Sequence, residues 1–275
     1  MAEISAIVAL GLYGLGVAAF AVWECTRSGL PWTIWLFYGI ERLYVGLMFH
    51  WRANRRCPFP NRGPAIILAN HRSPVDPLLI WMNHHLAAPA RRIRVIRFMM
   101  AREYYDVPIV RWICRTMQAI PVDRRGKDVR PTHQALELLK EGHLLGLFPE
   151  GRINSGTNLL EGDPGIAWLA LHARVPVYPV FLRNSPQSQS MVKPFYTPSS
   201  VCVVYGAPID LSAYFGLRMT HSVLTEVTDL LMRRLAQLGG MIYAKDVCAL
   251  NSALTEAAGP MDERTPSSDA NAVGL

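Results

Sequence analysis

Ala65-Ile66-Ile67-Leu68-Ala69 is an unbroken apolar run that leads directly into the polar stretch Asn70-His71-Arg72-Ser73-Pro74-Val75-Asp76. A strand that is apolar at every position, rather than at alternate positions, is typical of a sheet that is covered on both faces. We therefore expect this run to be a central strand of a mostly parallel sheet flanked by helices. That arrangement defines an α/β domain.

The alternation of strand and helix patterns continues on both sides of this run. Apolar, β-branched runs predict strands, and longer amphipathic runs between them predict helices. The predicted strands are 65–69, 93–100, 119–122, 144–148, 175–182 and 201–205. The predicted helices are 77–86, 109–116, 131–141, 165–172 and 220–238. We predict one α/β domain over residues 59–240.

The composition excludes several classes of protein. Of the 275 residues, 51% are hydrophobic and 18% are charged, which excludes a chain that is disordered throughout. Five scattered cysteines without a C-x-x-C pair exclude a small disulfide scaffold. The net charge of +7 is only modestly basic. Together with an apolar N-terminal segment, it favours a membrane surface over nucleic acid as a partner.

Residues 4–23 contain no charged side chain. A helix of this length reaches about 30 Å, the thickness of a bilayer core, so we predict a membrane helix. Arginines follow this segment and no base precedes it. By the positive-inside rule the catalytic body then lies on the cytosolic face, at the inner membrane if the protein is bacterial. A cleaved signal peptide and a buried core helix are the alternatives, and Glu3 in a segment without a base argues against the first.

A second apolar stretch, residues 30–51, is interrupted by Glu41-Arg42 and contains three tryptophans. Aromatic amphipathic side chains gather at the headgroup level of a bilayer, so we expect a helix lying in the interface. Residues 1–58 would then form a two-helix membrane-binding motif, or alternatively a re-entrant hairpin. Residues 241–275 are predicted to be a C-terminal extension, partly disordered in the polar part beyond Pro260.

The polar stretch after the first predicted strand carries the chemistry. His71 leaves the carboxyl end of a buried strand, where α/β folds bind ligands. Asp76 can hydrogen-bond one imidazole nitrogen and leave the other free to accept a proton. The alternative interpretation is an ordinary helix start, with Ser73 as N-cap and Pro74 at the first helical position.

Two further loops follow predicted strands and carry charged side chains. Phe148-Pro149-Glu150-Gly151-Arg152 forms a tight turn, and Ile120-Pro121-Val122-Asp123-Arg124 delivers a guanidinium group that suits a phosphate. An ordinary connecting loop and a solvated basic face are the alternatives. A basic cluster near the strand at 93–100 is a further candidate for contact with anionic lipid. It consists of Arg91, Arg92, Arg94 and Arg97.

Four of these segments, taken in order, resemble the conserved blocks of the 1-acyl-glycerol-3-phosphate acyltransferase family. They are Asn70-His71 with Asp76, Ile120 to Arg124, Phe148-Pro149-Glu150-Gly151 and Val175 to Val180, followed by Gly206-Ala207-Pro208-Ile209. Single blocks are weak signals, whereas four in order over residues 60–210 are strong. The resemblance implies an α/β acyltransferase domain with a membrane-binding N terminus.

The family pattern also implies roles for individual residues. By resemblance, His71 is the general base on the acceptor hydroxyl and Asp76 orients it. Arg124 and the stretch Glu150-Gly151-Arg152 would bind the phosphate and glycerol of the acceptor, and Arg102 stands near a position where the family often has Lys. Compared with Lys, Arg offers a phosphate a forked geometry.

The sequence departs from the family pattern in ways that leave the acceptor headgroup open. Arg152 comes one position early, in a form similar to that of 2-acyl-glycerophosphoethanolamine acyltransferases. The second block commonly begins with Gly and has an aromatic residue before Val-Asp-Arg, whereas this chain has Gln118 and Pro121 there.

The function implied by the resemblance is transfer of a fatty acyl group from acyl-CoA or acyl-carrier protein to 1-acyl-glycerol-3-phosphate, giving phosphatidic acid. The expected partners are the phospholipid membrane, a lysophospholipid acceptor and the thioester donor. We expect no metal and no cofactor beyond that co-substrate. Because a thiol leaves readily, no covalent enzyme intermediate is required. The alternatives are another lysophospholipid acceptor, such as lysophosphatidylethanolamine, or a non-catalytic lipid-binding protein of the same fold.

Overall fold

Seven strands form one sheet in a computed structural model of the chain, which describes residues 29–82, 93–106, 108–123, 128–188 and 190–248, with isolated positions between 12 and 26. The strands are β1 (Arg52–Ala53), β2 (Ala65–Ala69), β3 (Ile96–Ala101), β4 (Ile120–Val122), β5 (Leu144–Leu147), β6 (Val177–Arg183) and β7 (Cys202–Tyr205). Their order across the sheet is β1-β7-β6-β2-β5-β3-β4. Every pairing is parallel except β6 with β7. The predicted mostly parallel sheet is confirmed.

Six helices and three short 3-10 turns accompany the strands in the described ranges, in addition to a short helical segment at 244–248. The helices are α1 (Trp32–Met48), α2 (Asp76–Met82), α3 (Pro108–Thr116), α4 (Arg130–Lys140), α5 (Pro164–Ala173) and α6 (His221–Gly239). The 3-10 turns are Arg102–Asp106, Lys193–Tyr196 and Ser212–Tyr214. Five of these helices correspond to the patterns predicted from residue 77 onward.

Strand β2 separates two hydrophobic cores, which explains why its sequence is apolar at every position. All five of its residues are buried. Ala65, Ile67 and Ala69 contribute to the core that contains α1 and α2. Ile66 and Leu68 point to the opposite side, into the core with α4, α5 and α6. Because side chains alternate along a strand, a central strand that is covered on both faces favours apolar residues at every position.

Local capping fixes the ends of α6, the longest described helix. The Thr220 hydroxyl accepts a hydrogen bond from the Val223 N–H at the start of the helix. Gly240 ends the helix in the left-handed region, with φ of 69°. Thr at the N-cap and Gly after the last turn are the residues that these backbone positions favour. The helix then packs its Val227, Leu231 and Leu235 face onto the sheet, as its spacing predicts.

Helix α1 is apolar on two opposite faces. Ile34, Phe37 and Val45 are buried against the protein body, where Phe37 stacks on Trp81 with ring centroids 5.6 Å apart. The other face presents large hydrophobic side chains to the outside: Trp32, Leu36, Ile40, Leu43 and Leu47. The stretch is thus one helix with one docked face and one apolar face that no other described residue covers.

The predicted membrane helix at residues 4–23 falls largely outside the described residues. Among the residues that the structure describes, no helix has both the length and the hydropathy needed to cross a bilayer. The predicted division of the chain at residues 58 and 241 stays a prediction. The structure adds that β1 pairs with β7, and that Tyr243 is buried and donates to Asp229. Both flanking segments therefore contribute to the described body.

Glu41 is a carboxyl group on the docked face of α1. It is 2% exposed, and neither of its oxygens has a hydrogen-bond partner among the described residues. Burial raises its pKa to about 9, because removal from water penalises the charged form. The folded protein therefore keeps a proton that the unfolded chain releases, so stability falls as the pH rises from the ordinary value of 4.5 towards 9.

We expect Glu41→Gln to flatten this part of the pH dependence, since Gln keeps the shape of the side chain and does not ionise. The measurement is the thermal unfolding midpoint of wild type and variant in detergent at pH 5, 7 and 9. Wild type should lose stability relative to the variant as the pH rises. The exposed Glu137→Gln variant is the control and should follow wild type. Parallel curves for wild type and Glu41→Gln would contradict the assignment.

Candidate active site

His71 lies in the loop at the carboxyl end of β2, and its ring contacts the carboxylate of Asp76. Nδ1 of His71 is 3.1 Å from Oδ2 of Asp76. Asp76 is fully buried, whereas the His71 side chain is 15% exposed. An ionised carboxylate only accepts hydrogen bonds, so Nδ1 carries the proton and Nε2 has a free lone pair. Among the described residues Nε2 has no hydrogen-bond partner, which leaves it available to a substrate.

Asp76 also shapes the loop that presents His71. Its Oδ2 accepts from the backbone N–H groups of Arg72 and Ser73, each at 2.7 Å. Helix α2 begins at Asp76, and the buried Ser73 hydroxyl has no partner among the described residues. Capping by Ser73 is therefore not the arrangement that the structure shows. Asp76 holds the loop and the imidazole with one oxygen.

Glu150, which follows the neighbouring strand β5, is hydrogen-bonded to the same loop. It is 8% exposed and accepts from the backbone N–H of His71 at 3.1 Å through Oε1. Its other oxygen accepts from the Leu160 N–H at 3.1 Å and from the Asn154 amide. Burial raises the pKa of Glu150, while these hydrogen bonds act in the opposite direction. Its carboxylate therefore positions the His71 loop.

Asn154 is a site residue that the sequence motifs did not identify. It is buried, its N–H donates to the His71 carbonyl at 2.7 Å, and its side-chain amide donates to Glu150 and to the Asn158 carbonyl. Together, Asn154 and Glu150 fix both backbone polar groups of His71. The motif around Asn154 has no feature that distinguishes it from an ordinary loop asparagine.

One face of the His71 imidazole packs on a stack of two phenylalanine rings. The His71 ring lies on Phe148, with centroids 4.1 Å apart and planes at 18°, and Phe148 stacks on Phe98 at 5.4 Å. Gly146 on β5 is the partner of Phe98 on β3, and a Cβ at Gly146 would clash with that ring. A glycine is needed at this close approach. The stack fixes the plane of the His71 ring, and the contact with Asp76 fixes the direction in which Nδ1 points within that plane.

The segment that contains this site is similar to known proteins. Residues 52–183, from β1 to the end of β6, match the protein-family model described as Acyltransferase. This segment belongs to the acyltransferase family. The matched range contains His71, Asp76 and Glu150, and the resemblance inferred from the four sequence blocks is confirmed.

Two curated relatives illustrate the range of the acyltransferase family. The lyso-ornithine lipid O-acyltransferase of Pseudomonas aeruginosa is 31% identical over 183 residues, 62% of this chain and 64% of that protein. The 1-acyl-sn-glycerol-3-phosphate acyltransferase of Borreliella burgdorferi is 27% identical over 128 residues, 46% of this chain and 48% of that protein. The chain therefore spans less than two thirds of the length of these relatives.

The fold of the acyltransferase family is also seen in a solved structure. The 1-acyl-sn-glycerophosphate (LPA) acyltransferase of Thermotoga maritima superposes with a TM-score of 0.57 at 20% sequence identity. The likeness covers 82% of this chain and 93% of that one. It shows that the two chains share one fold.

Arg102 and Arg152, two of the three arginines that the family pattern implicates, follow strands on one side of β2. Arg102 is exposed at the carboxyl end of β3, and Arg152 is exposed next to Gly151, whose φ of 64° allows the turn after β5. Arg124 lies outside the described residues. Strand order places the ends of β5 and β3 to one side of β2. Contact of these residues with a substrate stays a prediction.

Gln118 stands where the acyltransferase family commonly has Gly, and the structure explains how it is accommodated. Its φ of 53° is in the left-handed region, which favours glycine. Its side-chain oxygen accepts from both Nε, at 2.8 Å, and Nη2 of Arg97, which is 7% exposed on β3. The glutamine thus satisfies a buried guanidinium group, which offsets the backbone strain.

Replacement of Glu150 by Gln tests whether the carboxylate of Glu150 stabilises the loop that contains His71. Oε2 of Glu150 accepts from two donors, so an amide nitrogen at either position would face an N–H group. We expect Glu150→Gln to lose about 1–3 kcal/mol of stability and to lower kcat with little change in KM. Chemical denaturation and steady-state kinetics measure the two effects. Wild-type stability in the variant would show that the hydrogen bonds to the Glu150 carboxylate do not stabilise the protein.

Proposed function

We propose that the chain is an O-acyltransferase that moves a fatty acyl group from a thioester to the hydroxyl of a lysophospholipid. The observation that carries this proposal is the oriented imidazole: Nδ1 of His71 is held by Asp76 at 3.1 Å and Nε2 is free among the described residues. A base in this state accepts a proton from a hydroxyl. Membership of the acyltransferase family supports acyl transfer as the reaction.

The reaction follows from the position of the base. Nε2 of His71 takes the proton of the acceptor hydroxyl, and the hydroxyl oxygen forms a bond to the thioester carbonyl carbon. The carbon–sulfur bond then breaks, and the proton on the imidazolium passes to the departing thiolate. Asp76 stabilises the imidazolium in between. General base catalysis of this kind contributes ~10²–10⁴-fold to the rate.

The acceptor that we propose first is 1-acyl-glycerol-3-phosphate, with phosphatidic acid as product. Exposed Arg102 and Arg152 at the carboxyl edge suit a phosphate monoester, and a relative that is 27% identical is named for this acceptor. The second candidate is another lysolipid, since a 31% identical relative is named a lyso-ornithine lipid O-acyltransferase. Lysophosphatidylethanolamine is a further alternative, because the early position of Arg152 is similar to the form in 2-acyl-glycerophosphoethanolamine acyltransferases.

We further propose that the protein works at the cytosolic face of a membrane, with α1 in the interface. The exposed apolar face of α1 supports this, because Leu43 and Leu47 are 65% and 74% exposed. Burial of such side chains in lipid contributes roughly 25 cal/mol per Å². Liposome flotation tests the idea. A Leu43→Glu, Leu47→Glu variant that floats like wild type would contradict a role for α1.

An acceptor panel tests the proposed function. Purified protein receives one acyl-CoA or one acyl-carrier protein and, in separate reactions, lysophosphatidic acid, lysophosphatidylethanolamine and lyso-ornithine lipid, with products identified by mass spectrometry. A preference for lysophosphatidic acid supports the first candidate, and a preference for another lysolipid supports the second. If no acceptor is acylated by either donor, the proposal is wrong and a non-catalytic lipid-binding role is favoured.

A further inference from the structure

A groove beside His71 lies on the side of β2 away from Arg102 and Arg152. It has a volume of about 500 Å³ and follows the end of β6, from Phe181 to Ser185, with Gly239 at the end of α6 opposite. Arg72, the residue after His71, lines it together with Arg183. Since β6 and β2 are parallel neighbours, the groove opens at the same edge of the sheet as the candidate base.

The two guanidinium groups of the groove contact only neutral partners. Arg72 donates to the Gly156 carbonyl at 3.0 Å and, with the Gln187 amide turned to face it, to the Gln187 oxygen. Arg183 donates to the Gly239 carbonyl at 3.3 Å. In the described ranges no carboxylate is within ion-pair distance of either residue. Two positive charges therefore face the groove without a counter-ion from the protein.

The remaining lining of the groove is mostly polar. Phe181 and Leu182 also line it, but they are only 3% and 0% exposed because their side chains belong to the two cores. Ser185 is 5% exposed and its hydroxyl has no partner among the described residues. A volume of this size is typical of sites for small organic molecules rather than single ions. The groove thus combines two arginines with neutral hydrogen-bonding groups.

The order of the strands distinguishes two basic regions on opposite sides of His71. Arg102 and Arg152 follow β3 and β5, whereas Arg183 ends β6 on the other side of β2. In direct transfer the base contacts the acceptor hydroxyl, and the thioester carbonyl must approach that oxygen from another direction. The thioester donor carries phosphate, and so does 1-acyl-glycerol-3-phosphate, the acceptor proposed first. Two separate basic regions match two separate phosphates.

We propose that the groove binds the phosphate of a phosphopantetheine thioester, the chemical unit that acyl-CoA and acyl-carrier protein share. Arg72 and Arg183 contact the phosphate, and the pantetheine arm runs from the groove past the carboxyl end of β6 towards His71. This inference rests on the proposed function and adds where the donor binds. It assigns the β6 side to the donor and leaves the β3–β5 side to the acceptor.

Equilibrium binding tests the site independently of activity. The ligands are the thioethers S-hexadecyl-phosphopantetheine and S-hexadecyl-pantetheine, which differ only in the phosphate, and the proteins are wild type, Arg183→Ala and Arg234→Ala. Arg234 is an exposed arginine of α6 outside the groove, so it controls for the lost charge. We expect wild type and Arg234→Ala to bind the phosphorylated ligand about tenfold more tightly, and Arg183→Ala to lose this difference.

Steady-state kinetics separate donor from acceptor. We expect Arg183→Ala to raise the KM for acyl-CoA and for acyl-carrier protein about tenfold, with the KM for the lysophospholipid unchanged. Equal binding of the two thioethers by wild type would overturn the inference. A raised acceptor KM with an unchanged donor KM would overturn it too, because the groove would then bind the acceptor phosphate. If the binding difference is found without acyl transfer, the site stands and the proposed function fails.

Discussion

Replacement of His71 by Ala is expected to lower kcat for acyl transfer ~10²–10⁴-fold, with KM values near those of wild type. Nε2 of His71 has no other role among the described residues, so its removal affects the step in which the hydroxyl loses its proton. The backbone of the loop should survive, because Glu150 and Asn154 bind the N–H and carbonyl of residue 71 and not its ring. Release of thiol and formation of the acylated lipid measure the rate.

A matched control separates loss of the base from general damage. His133 is an exposed histidine of α4, far along the chain from the loop, and its ring contacts Trp168. We expect His133→Ala to keep wild-type activity, and both variants to unfold at nearly the wild-type midpoint. If His71→Ala transfers acyl groups at the wild-type rate, His71 is not the base.

Asp76→Asn should have a comparable effect on kcat, ~10²–10⁴-fold, through the orientation and charge of the imidazole. The amide oxygen can replace Oδ2, but the negative charge that stabilises the imidazolium is lost. The amide nitrogen would occupy the position of Oδ1, which is buried without a partner among the described residues. An unsatisfied donor there costs about 1–3 kcal/mol of stability.

The double variant His71→Ala, Asp76→Asn identifies how Asp76 acts. If Asp76 works through His71, the double variant has the kcat of His71→Ala, because groups that act as a unit are not additive. Guanidinium chloride unfolding should show the stability loss of Asp76→Asn separately. Wild-type kcat in Asp76→Asn would contradict the orienting role. Additive losses would show that Asp76 contributes independently of the base.

The part of the fold that the sequence predicts is the part governed by local patterns. The unbroken apolar run of β2 indicates a strand between two cores, and the two cores do divide its side chains between them. The contact between His71 and Asp76 is also predictable, since only five positions separate them and both follow one strand. Local spacing was sufficient in both cases.

Long-range contacts account for what the sequence did not predict. Strand β1 has only two residues, Arg52–Ala53, and its pairing with β7 has no pattern of its own. Contact of Glu150 with substrate stays a prediction, and the structure adds that its carboxylate accepts from the backbone N–H groups of His71 and Leu160, 79 and 10 residues away. The contacts of Asn154 with His71 and Glu150 form only in the folded protein, so the sequence did not predict them.

The basic cluster near the strand at 93–100 shows how burial changes the interpretation of charge. Arg94 donates to the carbonyls of Pro60, Gly63 and Gly142, and Arg97 is buried against Gln118. The expectation that these two residues attract anionic lipid is wrong, because their guanidinium groups are engaged inside the protein. Arg91 and Arg92 lie outside the described residues.

Thiol release measured with and without acceptor tests most directly whether His71 activates the acceptor hydroxyl for direct attack. Wild-type protein at micromolar concentration is mixed with acyl-CoA alone, and lysophosphatidic acid is added later. We predict that thiol release starts only with the acceptor and is nearly absent in His71→Ala. A burst of thiol equal to the amount of enzyme before the acceptor is added would contradict the account, because it would show an acyl-enzyme intermediate.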